Sequence, residues 1–149
     1  MPMPKSVTKY TNKNGVTFTS SVDRANYTIE ELSRAALKDV AKVIRRKMID
    51  ELKQLPGMKK HKRIYSSSQY WVRRRETDLQ IGFKHDTWYG VLQELGSKNQ
   101  PKRSLLRDTV YENIDLIQKI EAQYLSAVED ELRAQSLIDE DEEVGDSVE

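Results

Sequence analysis

The feature that most constrains the fold is a long run of apolar residues at helical spacing in the first half of the chain. They recur every three or four residues: Leu32, Ala36, Val40, Val43, Ile44, Met48, Leu52 and Leu55. This stripe predicts an amphipathic helix that buries one face. Thr28 and Glu31 have the spacing of a capping box, so we expect the helix to begin at Ile29, and Pro56-Gly57 to end it.

A second helical pattern follows in the last third of the chain. Its apolar positions recur at steps of three, four and seven residues: Leu106, Val110, Ile114, Ile117, Tyr124, Val128 and Leu132. The pattern predicts a second long amphipathic helix from about Ser104 to Ala134.

The remaining regular segments have strand character. Residues 6–11 and 16–22 are rich in β-branched and aromatic residues and flank Asn14-Gly15, which predicts a hairpin with a type I′ turn, or an arm. Residues Tyr70–Arg75 and Asp78–Phe83 predict two more strands. Between the first helix and these strands, residues 58–68 combine basic residues with serines, and we expect a mobile loop there.

This order of elements predicts an α+β fold, in which a small antiparallel sheet is packed by two long helices and preceded by an N-terminal β-hairpin or arm. With 149 residues the chain has the length of one domain. We expect an arm at 1–27, the α+β domain at 28–136 and an acidic, flexible tail at 137–149.

The formal net charge of +1 conceals a strong asymmetry. Residues 139–149 hold seven acidic residues and no basic one, so the rest of the chain has 25 basic against 17 acidic residues. Such a tail is compatible with a solvated, disordered segment, with polyanion binding by the basic body, or with a tail that screens that body. The chain has no cysteine, no apolar run long enough to span a bilayer, and no signal-peptide pattern at its start.

Catalytic chemistry has few candidates in this sequence. The two histidines are His61, in a basic run, and His85, beside Asp86. No metal-ligand spacing, phosphate-binding glycine loop or nucleophile with a base is present. We therefore expect no enzyme activity, no cofactor and no metal site. A small hydrolase or toxin would require His85 or Asp86.

Two basic clusters favour an alternative function, that of a nucleic-acid-binding regulatory protein. They are Lys59, Lys60, Lys62 and Arg63 in the loop 59–63, and the triplet Arg73-Arg74-Arg75. Cations would neutralise phosphates, and the nearby Tyr65, Tyr70 and Trp71 could stack on bases. The competing interpretation places Trp71, Arg73 and Arg75 on one solvated face of a strand, with Tyr70 and Val72 on the packed face.

Residues 81–107 form a distinctive order of side chains, and each has a local physical role. Trp88 and Tyr89 would supply buried area where the sheet meets the helices. Gly90 would permit close backbone approach, and Gly96 a positive φ angle. Glu94 is the one charged residue in the apolar stretch 88–95, so we expect it to bind Arg103, Arg107 or a backbone amide. Pro101 would fix the backbone before the last helix.

This order resembles the tail-component family of tailed bacteriophages, small neck or tail-completion proteins between the head connector and the tail tube. The matching positions are Trp88, Tyr89, Glu94, Leu95, Gly96, Ser97, Pro101, Leu105, Leu106 and Arg107. The resemblance covers about residues 28–132. It departs from the family pattern at Leu105, where an aromatic residue is common, and at Asp108, where a proline often follows the arginine.

The resemblance implies a non-enzymatic virion structural protein, made in the host cytoplasm, that forms a ring at the head-tail interface. It implies a sixfold ring of identical subunits, with the connector or a head-completion protein on one side and the tail tube or a tail terminator on the other. DNA would pass through the lumen, and no membrane is involved. The N-terminal arm and the loop 58–68, with its basic residues, would become ordered against neighbouring subunits.

Overall fold

The computed structural model describes residues 8–54, 64–84, 88–99, 101–130, 133–134 and 136–138. Its elements in chain order are β1 (Thr8–Thr11), β2 (Thr17–Ser20), α1 (Val22–Lys53), a 3-10 helix (Ile64–Ser67), β3 (Ser68–Arg73), β4 (Asp78–Phe83), α2 (Trp88–Leu95), α3 (Leu105–Glu112) and α4 (Ile114–Leu125). Helices combined with separate antiparallel strands confirm the predicted α+β class.

Helix α1 begins seven residues before the predicted start, at Val22. The predicted capping box is wrong, because the Thr28 hydroxyl donates a hydrogen bond to the Arg24 carbonyl at 3.0 Å within the helix. A threonine hydroxyl can bind the carbonyl four residues back as well as a free amide, so the sequence pattern does not decide between the two. Asp23 then lies in the first turn, where its charge complements the helix dipole.

The first hairpin pairs β1 with β2 in the register Thr8↔Ser20 to Thr11↔Thr17, as the sequence predicted. Its turn differs from the expected type I′. Gly15 adopts φ +77° and its amide donates to the Asn12 carbonyl at 2.9 Å, while the Asn12 amide donates to the Val16 carbonyl at 2.9 Å. This is a type I turn followed by a bulge at glycine, in which Asn14 keeps a negative φ angle.

The second hairpin pairs β3 with β4 in the register Ser68↔Phe83 to Arg73↔Asp78. Strand β4 has the predicted bounds, whereas β3 begins and ends two residues before the predicted strand. Each hairpin forms its own two-stranded sheet among the described residues. The expected loop 58–68 is wrong at its end, since residues 64–67 are helical and Ser67 and Ser68 are buried. Residues 58–63 lie outside the described part.

The single long helix predicted for residues 104–134 is also wrong. The chain forms α3 and α4 with a break at Asn113, and α4 ends at Leu125. At the break, the Asn113 side-chain amide donates to the Thr109 carbonyl at 2.7 Å, and its backbone amide donates to the Val110 carbonyl at 3.2 Å. The asparagine side chain thus takes a carbonyl of the preceding turn, and the backbone tightens to a 3-10 bond.

Two compact units divide the chain, one formed by Met1–Ala36 with Ala122–Glu149 and the other by Leu37–Glu121. The boundaries predicted from the sequence, after residues 27 and 136, stay a prediction. In the second unit, α1 buries a stripe at helical spacing: Val40, Ala41, Ile44, Met48 and Leu52. Phe83, Leu105 and Leu106 pack against Met48 and Leu52. The last strand and the start of α3 are therefore held against α1.

Candidate functional site

The carboxylate of Glu94, near the end of α2, caps the start of α3. Oε2 accepts a hydrogen bond from the Leu106 amide and Oε1 from the Arg107 amide, both at 3.0 Å. The first amides of a helix have no partner within the helix, and a negative charge there is favourable. Ser104, which precedes α3, has a left-handed backbone and makes no side-chain cap. Glu94 therefore replaces the usual cap, and the prediction that it binds a backbone amide is confirmed.

The connection between α2 and α3 folds back on the end of α2. The Arg103 amide donates to the Gln93 carbonyl at 3.0 Å, and the Gly96 amide donates to the Leu92 carbonyl at 2.8 Å. Gly96 has φ +80°, as predicted, and a Cβ there would lie 3.0 Å from the Lys102 backbone nitrogen. Any larger residue at position 96 would be strained by its φ angle and would push against the returning chain.

Gly90 sets how closely α2 approaches β4. A Cβ atom at this position would lie 2.7 Å from Cγ of Phe83, so the predicted close approach is confirmed. Phe83 in turn packs against the Met48 and Leu52 cluster. The side chains of Trp88 and Tyr89 lie outside the described part, and their predicted burial stays a prediction. Pro101 is exposed and precedes α3 without belonging to it.

Leu95 lies between Glu94 and Gly96, which both have structural roles, but its own side chain is not part of the core. It is 67% exposed, and Val91, one turn earlier on α2, is 51% exposed. On α3, Tyr111 is 62% exposed, and the guanidinium of Arg107 lies 5.5 Å from the centroid of its ring. We call these four residues, Val91, Leu95, Arg107 and Tyr111, the elbow surface. Val91 and Leu95 share one face of α2, and this exposed apolar pair is the candidate contact for a partner.

The sequence included Leu95 and Arg107 in the motif but did not predict that they face outwards. Val91 and Leu95 are four residues apart, which indicates a shared face of a helix. That spacing alone does not say whether the shared face is buried. The answer depends on Gly90 and Phe83, which determine the side of α2 that packs inwards.

The turn of the second hairpin separates its three arginines into two kinds. Arg73 donates from Nε to Oδ1 of Asp78 at 2.7 Å, and its two terminal nitrogens pair with Asp78 and Glu76. The hydrogen bond from Arg73 lowers the pKa of Asp78, and the same bond raises the pKa of Arg73. Arg74 and Arg75 are exposed, and no residue in the described ranges pairs with either.

This arrangement bears on the residues predicted to contact a polyanion or an interface. Arg73 is occupied by two carboxylates, whereas Arg75 remains open to a partner. Lys59, Lys60, Lys62 and Arg63 lie outside the described residues, as do His85 and Asp86.

Trp71 is the most exposed large apolar side chain in the described part, with 68% of its surface accessible. It stands opposite Gln80 in the hairpin. A concavity of about 440 Å³ next to it is lined by Gln69, Tyr70, Trp71, Gln80, Ile81, Gly82 and Phe83. Strand alternation places Trp71 and Arg73 on one face and Tyr70 and Val72 on the other. Tyr70 and Val72 are half-buried and Trp71 is exposed, as predicted. The prediction is wrong for Arg75, which lies in the turn beyond β3, and Arg73 is half-buried.

Comparison with protein-family models, with curated proteins and with solved structures finds no match. Within the described residues, no helix combines the length and the apolar character needed to cross a bilayer. The same residues contain no group of three or more acidic or histidine side chains placed to hold a metal ion.

Proposed function

We propose that this chain is a non-enzymatic structural protein of a tailed bacteriophage. It acts as a tail-completion or neck subunit and forms a ring, expected to be sixfold, at the head-tail interface. Its partners are further copies of itself, the connector or a head-completion protein, and the tail tube or a tail terminator. The observation that carries the proposal is the pair of hydrogen bonds that the Leu106 and Arg107 amides donate to the Glu94 carboxylate.

This bond matters because it links the two halves of the motif on which the resemblance rests. Glu94 and Gly96 belong to the first half, and Leu105, Leu106 and Arg107 to the second. Leu105 and Leu106 pack on α1, while the Glu94 carboxylate binds the helix that carries them. Motif residues that contact one another in the structure support a family resemblance better than motif residues with no contact between them.

The exposure of Leu95 supports an assembly role. Its neighbours Glu94 and Gly96 are needed for the local fold, whereas Leu95 is two-thirds exposed. An exposed apolar side chain stabilises an assembly when a partner covers it, because its apolar surface then leaves water. We expect the elbow surface to contact a neighbouring subunit or a neck partner.

The test uses the phage that encodes the protein. Phage that lack it are expected to accumulate separate heads and tails, or unstable junctions, in electron micrographs of lysates. Leu95→Ser is expected to reduce joined particles at least tenfold while the purified variant keeps its helical circular dichroism. Leu125→Ser is the matched control, because Leu125 is a leucine on α4 that is 52% exposed and lies outside the elbow surface. Fully joined, infectious particles without the protein would refute the proposal.

A second candidate function, that of a nucleic-acid-binding regulator, is favoured by the open Arg74 and Arg75 beside the exposed Trp71. Exposed cations next to an aromatic side chain suit single-stranded nucleic acid. Binding to short DNA that weakens steeply with salt, and that is lost in Arg74→Gln/Arg75→Gln, would support it. No binding at low salt would remove this candidate.

A further inference from the structure

The turn of the second hairpin presents positive charge that its own surroundings do not neutralise. Both carboxylates close to the turn, Glu76 and Asp78, are bound to Arg73. Arg74 and Arg75 are exposed and have no partner among the described residues. Two consecutive exposed arginines without a carboxylate partner favour an acidic partner.

Trp71, three residues before Arg74 in the chain, adds an exposed apolar side chain to the same hairpin. It is 68% exposed and borders a concavity. Gly82, which lines the same concavity, has no atom within 4 Å of a Cβ built on it, so a ligand meets open space there. We call Trp71, Arg74 and Arg75 the tip surface. It is suited to an acidic peptide that also carries a small apolar side chain.

The chain itself contains such a peptide. Residues 139–149 hold seven acidic residues and no basic one, together with Val144 and Val148. The described part ends at Ile138, so eleven residues follow it. An extended segment of that length spans roughly 36–40 Å, at about 3.3–3.6 Å per residue. This reach is enough for the segment to meet another molecule.

We infer that the acidic segment 139–149 of one copy binds the tip surface of a second copy. Its carboxylates pair with Arg74 and Arg75, and a valine packs against Trp71. The two surfaces differ, so the contact is head-to-tail and can link copies into a closed ring or a chain. The inference does not depend on the proposed function, because it concerns only contacts between copies of this chain.

The expected contact is weak and sensitive to salt. An exposed ion pair is worth about 0.2–1 kcal/mol, and the Debye length falls from about 30 Å at 0.01 M salt to about 3 Å at 1 M. Several ion pairs and one apolar contact give weak binding between free copies. Within an assembly that other contacts hold together, the same contact forms more readily, because the segment and the tip surface are already close to each other. We expect the contact at low salt and its loss at high salt.

The experiment uses the full chain and exploits its lack of cysteine. One sample of the protein carries Ser147→Cys with a nitroxide label and nitrogen of natural abundance, and a second sample is enriched in ¹⁵N and unlabelled. After mixing, broadening of ¹⁵N-bound proton signals reports only contacts between copies. We expect broadening of the Trp71 indole and of the Arg74 and Arg75 amides, and its loss at about 0.5 M salt.

Three variants of the ¹⁵N copy make the assignment specific. Arg74→Gln/Arg75→Gln is expected to remove the broadening at Trp71. Lys98→Gln/Lys102→Gln is the matched control and is expected to retain it, because both lysines are exposed and lie outside the tip surface. Trp71→Ala is expected to weaken the broadening that remains at Arg74 and Arg75.

Three outcomes would overturn the inference. The first is broadening only when label and ¹⁵N are on the same copy, which would make the contact intramolecular. The second is broadening that persists in Arg74→Gln/Arg75→Gln. The third is an absence of broadening at low salt, and binding of a short single-stranded DNA at Trp71 would then make the tip surface a nucleic-acid site.

Discussion

Replacement of Glu94 by glutamine tests the cap that joins α2 to α3. A glutamine places an NH₂ group where one carboxylate oxygen accepts a hydrogen bond from a backbone amide. The NH₂ group and that amide are both donors, so they would repel each other. The Arg107 amide is exposed and can bind water, whereas the Leu106 amide is partly buried. Loss of a hydrogen bond to a charged group costs about 1.5–3 kcal/mol, and loss of the favourable charge at the helix start about 0.3–1 kcal/mol. We expect the free energy of unfolding to fall by about 2 kcal/mol.

Urea denaturation and thermal melting followed by circular dichroism measure the global effect, which corresponds to a decrease in Tm of about 4–8 °C for a chain of this size. Hydrogen exchange at the Leu106 amide measures the local effect, and roughly thirtyfold faster exchange corresponds to about 2 kcal/mol. Glu112→Gln is the matched control at an exposed position on the same helix, with an expected change within about 0.5 kcal/mol. A glutamine can turn its remaining oxygen towards either amide, so unchanged exchange at both the Leu106 and the Arg107 amides, together with unchanged stability, would refute the cap.

Two further predictions concern the packing of α2 on β4 and the ion pair at the turn of the second hairpin. Gly90→Ala is expected to lower the free energy of unfolding by about 1–3 kcal/mol, because the new Cβ overlaps the Phe83 ring. Gly82→Ala is the control and is expected to have little effect, because the space around its Cβ is open. Equal losses of stability in both variants would contradict the packing of α2 on Phe83. Because Arg73 lowers the pKa of Asp78 in the folded state, the stability from this pair is complete above the ordinary pKa of 3.8 and is lost as the pH falls through the lower folded value. Asp78→Asn is therefore expected to be less stable than the wild type at pH 7 and to approach it in urea titrations at the lowest pH, and a constant difference from pH 7 to pH 2 would count against the pairing.

The sequence predicted those parts of the fold in which one local signal dominates. Strand β4 follows from alternating apolar residues, and the first hairpin from Asn14-Gly15 between two strand-like segments. The predictions failed where one side chain has two local choices of similar free energy. Thr28 bonds a carbonyl inside α1 instead of capping it, and Asn113 interrupts a continuous helical pattern by binding the Thr109 carbonyl.

The candidate site was predicted unevenly for a similar reason. Glu94 had to find a partner because a charge in an apolar stretch is costly when unpaired, so a bond to an amide could be expected from the sequence. The pairing of Arg73 with Asp78 depends on the register of the second hairpin, in which the two residues lie opposite each other. The predicted strand lay two residues later than β3, and that shift would place a different residue opposite Asp78. The exposure of Leu95 depends on which side of α2 meets Phe83, and no local pattern encodes that choice.

The most direct test of the central claim is a reconstruction of the head-tail junction of purified virions, combined with mass spectrometry of their proteins. We expect the 17.3 kDa chain to be present in the virion, and its second hairpin and α2-α3 elbow to fit density repeated around the tail axis, with the elbow surface against a neighbouring protein. Virions that are complete and joined but contain none of this chain would contradict the claim.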